Sequence, residues 1–168
     1  MTKTIKPIQL GGAISEILGE VTEAIKADAE MALRATMIKV WGDIITDTPV
    51  GNPDLWVYNR GTKDNPDYVD YLAYNDLDGY KGGTARGNWF IGLATNDKTN
   101  ISPNKNKGAT YVGNSIPKEI LGKKVFLYNN LPYITRLEFG WSTQAPVGMV
   151  RKNTILFPSI LRRAFKQV

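Results

Sequence analysis

ISEILGEVTEAIKADAEMALRATMIKVWGDII, residues 14–45, is the stretch on which the fold turns. Within it Ile14, Ile17, Leu18, Val21, Ile25, Ala32, Ala35, Ile38, Trp41 and Ile45 recur mostly at intervals of three, four or seven. Side chains so spaced share one side of a 3.6-residue turn, and the pattern predicts a single long amphipathic helix. A further row, Leu33, Met37, Val40 and Ile44, widens the apolar face of its second half. That half should be covered on two sides and the first half on one. Gly12-Ala13 is a weak start, whereas Asp47-Thr48-Pro49 is a clear stop, because the residue before a proline is driven out of helical geometry. At about 1.5 Å per residue the helix is roughly 48 Å long.

Working outward, residues 46–86 are rich in Gly, Pro, Asn, Asp and Tyr, with turn formers at Gly51-Asn52-Pro53, Asn65-Pro66, Asp78-Gly79 and Gly82-Gly83. They predict a long loop, a tyrosine-rich insertion at about 50–84. Tyr58, Tyr68, Tyr71, Tyr74 and Tyr80 either pin it to the body of the domain or meet another subunit, since tyrosine is favoured where a surface is buried on association. Tyr58 and Tyr71 are the interface candidates here.

Beyond the loop, Asn88–Leu93 and Lys124–Tyr128 are strand candidates, with a shorter one at Thr110-Tyr111-Val112 and a helical turn at Pro117–Leu121. The strands should pair antiparallel beneath the long helix. Ile160, Leu161, Ala164 and Phe165 share a helical face opposite Arg162, Arg163 and Lys166, which predicts a C-terminal helix from about Phe157 with Pro158 in its first turn. The expected fold is α+β: a long N-terminal helix packed on a small antiparallel sheet, with a C-terminal helix, in one domain spanning residues 1–168.

Composition narrows the function. The chain has 168 residues, 42% of them apolar and 22% charged, which suits one soluble domain with its own core. No run is apolar enough for a membrane span or a signal peptide, so synthesis and use in a cytoplasm are expected, with no membrane partner. Cysteine and histidine are both absent. Disulfides, thiolate metal sites and every Ser-His or Cys-His arrangement go with them, and the chain is expected not to be an enzyme and to need no cofactor. The formal charge of +5 is unevenly spread: residues 12–47 hold seven acids against three bases, and residues 117–168 nine bases against two acids.

Three chemical readings are weaker. Gly79-Tyr80-Lys81-Gly82-Gly83-Thr84 lacks the spacing of a phosphate loop and follows no strand. Asp64, Asp67, Asp70, Asp76 and Asp78 could hold calcium or serve a carboxylate-based metal hydrolase, but the calcium-loop pattern is not matched and capped turns explain them more simply. Lys105, Lys107, Lys123, Lys124, Arg151, Lys152, Arg162, Arg163 and Lys166 could bind phosphates, so a nucleic-acid-binding protein with a basic C-terminal face is the alternative function. No nucleic-acid motif accompanies them, and a solvated or protein-contacting basic face is the simpler account.

Val125-Phe126-Leu127-Tyr128-Asn129-Asn130-Leu131-Pro132-Tyr133-Ile134-Thr135-Arg136-Leu137-Glu138-Phe139-Gly140 resembles the NNLPYA..LEYG core of neck and tail-completion proteins from long-tailed bacteriophages, the lambda minor tail protein Z type. Trp141-Ser142-Thr143-Gln144-Ala145-Pro146-Val147-Gly148-Met149-Val150-Arg151 is similar to that group's S.QAP.GMVR continuation. Upstream, Thr48-Pro49-Val50-Gly51 and Gly82–Trp89 are similar to its TPV.TG.LR.N/SW block, split here by the tyrosine-rich insertion. The resemblance implies a virion structural protein of the head-tail connector that forms a ring, a hexamer by expectation. It would dock between head-completion proteins and the tail terminator or tail tube, with genome DNA passing nearby.

These segments also have physical roles. Asn129-Asn130 suits a turn, and Tyr133 with Leu137 an i, i+4 pair on a short helix ending at Gly140. Glu138 should bond Arg86 or Arg151 within the chain, or else meet a neighbour. Ser142–Val150 carries no charge, contains Pro146 and Gly148, and suits an ordered arm or loop that packs on a neighbouring subunit, which makes it the leading interface candidate. The interface candidates in this part of the chain are Arg86, Trp89, Glu138, Trp141, Gln144, Pro146, Met149 and Arg151. A ring needs a heterologous contact, one face meeting a different face. The acidic first helix and the basic last third could form that pair.

Overall fold

The computed structural model describes residues 10–51, 82–95, 99 and 106–168. Helix α1 runs over Leu10–Asp47. It is followed by α2 (Thr84–Gly87), strand β1 (Phe90–Gly92), α3 (Ala109–Ser115), β2 (Phe126–Tyr128), α4 (Ile134–Glu138), α5 (Val150–Thr154) and α6 (Phe157–Ala164). The fold is mixed α+β and mostly helical.

The second half of α1 is the spine. Met37, Val40, Ile44 and Ile45 form one buried cluster with Trp89, Val112, Ile116, Ile120 and Met149. The two apolar rows of the sequence therefore take partners on two sides, from α3 and from the α5–α6 end of the chain. Gly42 allows the closest approach: a Cβ there would lie 3.0 Å from both Cα and Cβ of Ala109, so any side chain would push α3 away.

β1 and β2 pair antiparallel with Phe90 opposite Tyr128, Ile91 opposite Leu127 and Gly92 opposite Phe126. The Phe90 and Tyr128 rings sit 5.8 Å apart. Ile91, Leu127 and the neighbouring Val125 reach the same core from the sheet.

Two local expectations are corrected. Thr110-Tyr111-Val112 lies in α3 and is not a strand. Strand preference measures fit to a pleated neighbour, and the neighbour here is a helix, against which Val112 and Ile116 stack one turn apart. Pro117–Leu121 forms no helix. Its backbone is satisfied by α1 instead: Glu30 accepts from the N–H of Ile120 (2.9 Å) and Leu121 (3.0 Å), and Arg34 donates to the carbonyls of Ile116, Pro117 and Lys118.

A third difference is larger. Every residue from Ile14 to Asp28 is exposed, so the first half of α1 is covered on no side. Ile14, Ile17, Leu18, Val21 and Ile25 are 49–62% exposed. Their period makes a helix, but burial needs an opposing surface, and none of the described residues provides one. Among these residues, no helix is long and apolar enough to cross a membrane.

Candidate functional site

The C-terminal end of α1 is tied down by the block that follows the insertion. The Arg86 guanidinium donates to the carbonyls of Thr46 (2.6 Å) and Thr48 (2.9 Å), which the helix end leaves without intrahelical partners. The buried Trp89 indole N–H donates to the Thr48 hydroxyl (2.8 Å), which itself donates to the Ile44 carbonyl (2.8 Å). Asp47 accepts from Asn153 (2.8 Å) and Lys152 (3.1 Å) on α5. Burial alone would raise the Asp47 pKa, and these two donors outweigh it and hold it below the ordinary value.

Glu138, the last residue of α4, is the centre of the 129–151 segment. One carboxylate oxygen accepts from the backbone N–H of Met149 (2.9 Å) and Val150 (2.7 Å). The other accepts from the N–H of Arg151 (2.9 Å) and its guanidinium (3.1 Å), and Arg151 also donates to the Glu138 carbonyl (2.7 Å). The carboxylate thus caps the first turn of α5, where backbone donors have no intrahelical acceptors and negative charge is favoured. Burial pushes its pKa up, and the N–H groups of Arg151, Val150 and Met149 with the Arg151 side chain push it further down, leaving it lowered.

Two glycines make the clamp possible. Gly148 has φ +79°, and a Cβ there would strike the Glu138 carbonyl and lie 2.7 Å from its carboxylate. Gly140 has φ +84°, and a Cβ there would strike the Pro146 carbonyl. Between them, the Gln144 amide exchanges hydrogen bonds with the backbone of Val50 (3.0 and 3.2 Å), and Ala145 and Met149 are buried. The uncharged Ser142–Val150 segment is therefore ordered on its own chain, with Pro146 and Val147 outward.

The clamp carries an exposed face. Phe139 and Trp141 are 69% and 73% exposed, and Ile155, one turn after Arg151, is 78% exposed. Arg136 stacks on the Trp141 ring (5.1 Å) and Arg151 on the Phe139 ring (5.0 Å). Each guanidinium shields a ring face from water and keeps its charge at the surface. The arrangement holds two cation-ring pairs at the surface.

Of the interface candidates, the structure brings Glu138, Trp141, Gln144, Pro146, Met149 and Arg151 together. Of the two partners foreseen for Glu138 it is Arg151 that bonds it, while Arg86 sits with Trp89 at the end of α1. Met149 is fully buried and Trp89 nearly so, and both belong to the core cluster. Tyr58, Tyr71 and the Asp64–Asp78 acids lie outside the described residues, as does Lys105. Phe139 and Ile155 were missed. A phenylalanine beside a glycine gives no sign of pointing outward, and Ile155 continues an apolar run, Ile155-Leu156-Phe157, that suggests a core. Lys107 was read only as a phosphate binder, yet it donates to the Gly87 (3.0 Å) and Trp89 carbonyls and lies over the Phe90 and Tyr111 rings. Comparison of the chain with family models, curated proteins and solved structures finds no match.

Proposed function

We propose that this chain is a virion structural protein of a tailed bacteriophage, a neck component that completes the tail and joins it to the head by assembling into a ring. One observation carries the reading. The segment whose sequence resembles neck proteins, residues 125–151, is clamped through Glu138 to the start of α5 and presents Phe139 and Trp141 to solvent. Large aromatic and arginine side chains on a fixed scaffold are the usual anchors of protein interfaces. In this reading the copies form a closed ring, six by expectation, between head-completion proteins and the tail terminator or tail tube, after assembly in the host cytoplasm.

The test is mass by multi-angle light scattering, on the purified protein alone and then mixed with tailless heads and headless tails from an infection lacking it. Ring-sized species or restored head-tail joining are expected. A second reading, nucleic-acid binding, is favoured by the Arg136–Trp141 and Arg151–Phe139 stacks, which could also receive bases and phosphates. It requires a monomer that ignores both particles and binds DNA with an affinity falling steeply between low and physiological salt.

A further inference from the structure

The chain exposes two apolar surfaces of opposite charge. One is the free half of α1, with Ile14, Ile17, Leu18, Val21 and Ile25 along one side. Residues 14–30 hold five acids, Glu16, Glu20, Glu23, Asp28 and Glu30, against Lys26. The other is made by the exposed Trp141 stacked with Arg136, the exposed Phe139 stacked with Arg151, and Ile155 one turn after Arg151. Residues 133–168 hold six bases against one acid, Glu138, whose carboxylate is already spent on the α5 backbone. Among the described residues nothing covers the large apolar side chains of either surface, and grouped exposed apolar side chains mark sites of association.

We propose that the free half of α1 docks on the arginine-aromatic face of a second copy of this chain. This deepens the ring-assembly reading and rests on it, by naming the two halves of the subunit contact. Asp28 decides against α1 pairing with itself. It is exposed and lies seven residues after Val21 and three after Ile25, in line with the apolar stripe. Parallel helices joined along that stripe would press two like charges together, and antiparallel ones would bury each Asp28 against an apolar side chain. Against Arg136 or Arg151 of another copy it meets an opposite charge. Glu16, Glu20 and Glu23 fall on the other side of the helix from the stripe and act at longer range, favouring the approach of a basic surface over an acidic one. A contact between two different faces leaves each copy with one of each unused, and so propagates to a ring or a filament.

The absence of cysteine allows a direct test. Leu18→Cys and Ile155→Cys change exposed positions, and the two single-cysteine proteins, one enlarged by a tag, are mixed and oxidised over a range of concentrations. The mixed Leu18→Cys to Ile155→Cys product should dominate. Asp28→Lys should weaken self-association about tenfold, and adding Arg136→Glu should restore most of the loss. Predominant Leu18→Cys homodimers would overturn the proposal. Oligomers in light scattering with no mixed product would overturn it and leave the ring reading standing. A loss of monomer stability on Leu18→Ala as large as that of a core truncation would overturn it too, by showing that the stripe is covered within one chain. No oligomer, either free or on heads and tails, would remove the ring reading and this contact with it.

Discussion

The two halves of α1 are written in the same helical period and meet opposite environments. From Ala32 onward the apolar residues have a second row beside them, and α3, Trp89 and Met149 close over both rows. From Ile14 to Ile25 there is a single row with acids opposite it, and none of the described residues covers it. Periodicity therefore reports which side of a helix is apolar; the breadth of the apolar face reports whether the chain itself can bury it. A narrow stripe with a carboxylate in line suits a partner that arrives later and brings a cation.

That contrast can be broken most forcefully from the buried half. Ile44→Ala removes a side chain that is 2% exposed, and should cost about 3 kcal/mol in chemical denaturation. Leu18→Ala, the matching truncation in the free half, should change the stability of the isolated monomer by less than about 0.5 kcal/mol. Equal losses would mean that the free half is covered within the chain.

Next comes Gly148→Ala. Its φ of +79° and the contact of a new Cβ with Glu138 should cost about 2 kcal/mol in the same assay, with the loss confined to the clamp. Hydrogen exchange should show faster opening of α5 and unchanged exchange in residues 14–28.

Glu138→Gln should cost about 1–2 kcal/mol at neutral pH, because three backbone donors lose a charged acceptor. Glu138 and Asp47 both titrate below their ordinary values in the folded chain, so in acid the unfolded chain binds more protons than the folded one. Their contribution is complete above the ordinary carboxylate values of about 4 and is lost as pH falls through the depressed folded ones. The gap in melting temperature between wild type and Glu138→Gln should therefore close on acidification; a constant gap would assign the loss to shape and not to charge.

The smallest effect belongs to the free half. A Cβ at Gly19 meets nothing within 4 Å, so Gly19→Ala should raise helix content by circular dichroism and stabilise the helix by about 0.5–1 kcal/mol. Because Gly19 lies off the apolar stripe, self-association should be unaltered.

Much of this molecule is legible without coordinates. α1 and its stop before Pro49, the two strands at Phe90–Gly92 and Phe126–Tyr128 and the start of the last helix at Phe157 follow from local period and turn chemistry, and the expected antiparallel pairing of the strands is found. The bond of Glu138 to Arg151 was foreseen as one of two options. Thr110-Tyr111-Val112 was misread because three residues carry too little pattern to distinguish strand from helix, and α1 decided the matter by packing on Ala109. The backbone of Pro117–Leu121 was likewise claimed by Glu30 and Arg34, about 80–90 residues away, at a distance no local rule spans.

The sequence by itself determined the elements, because φ/ψ preference and apolar spacing act over a few residues. It also determined the exclusion of histidine and cysteine chemistry and the opposition of an acidic front to a basic end. Only the tertiary structure decided which apolar residues stay in water. Exposure depends on what folds back across a surface, so Ile44 and Ile17, alike in their helix, end in the core and in solvent. The same folding back turned Glu138 from a surface acid into the cap of α5 and lifted Phe139 and Trp141 outward beside their arginines.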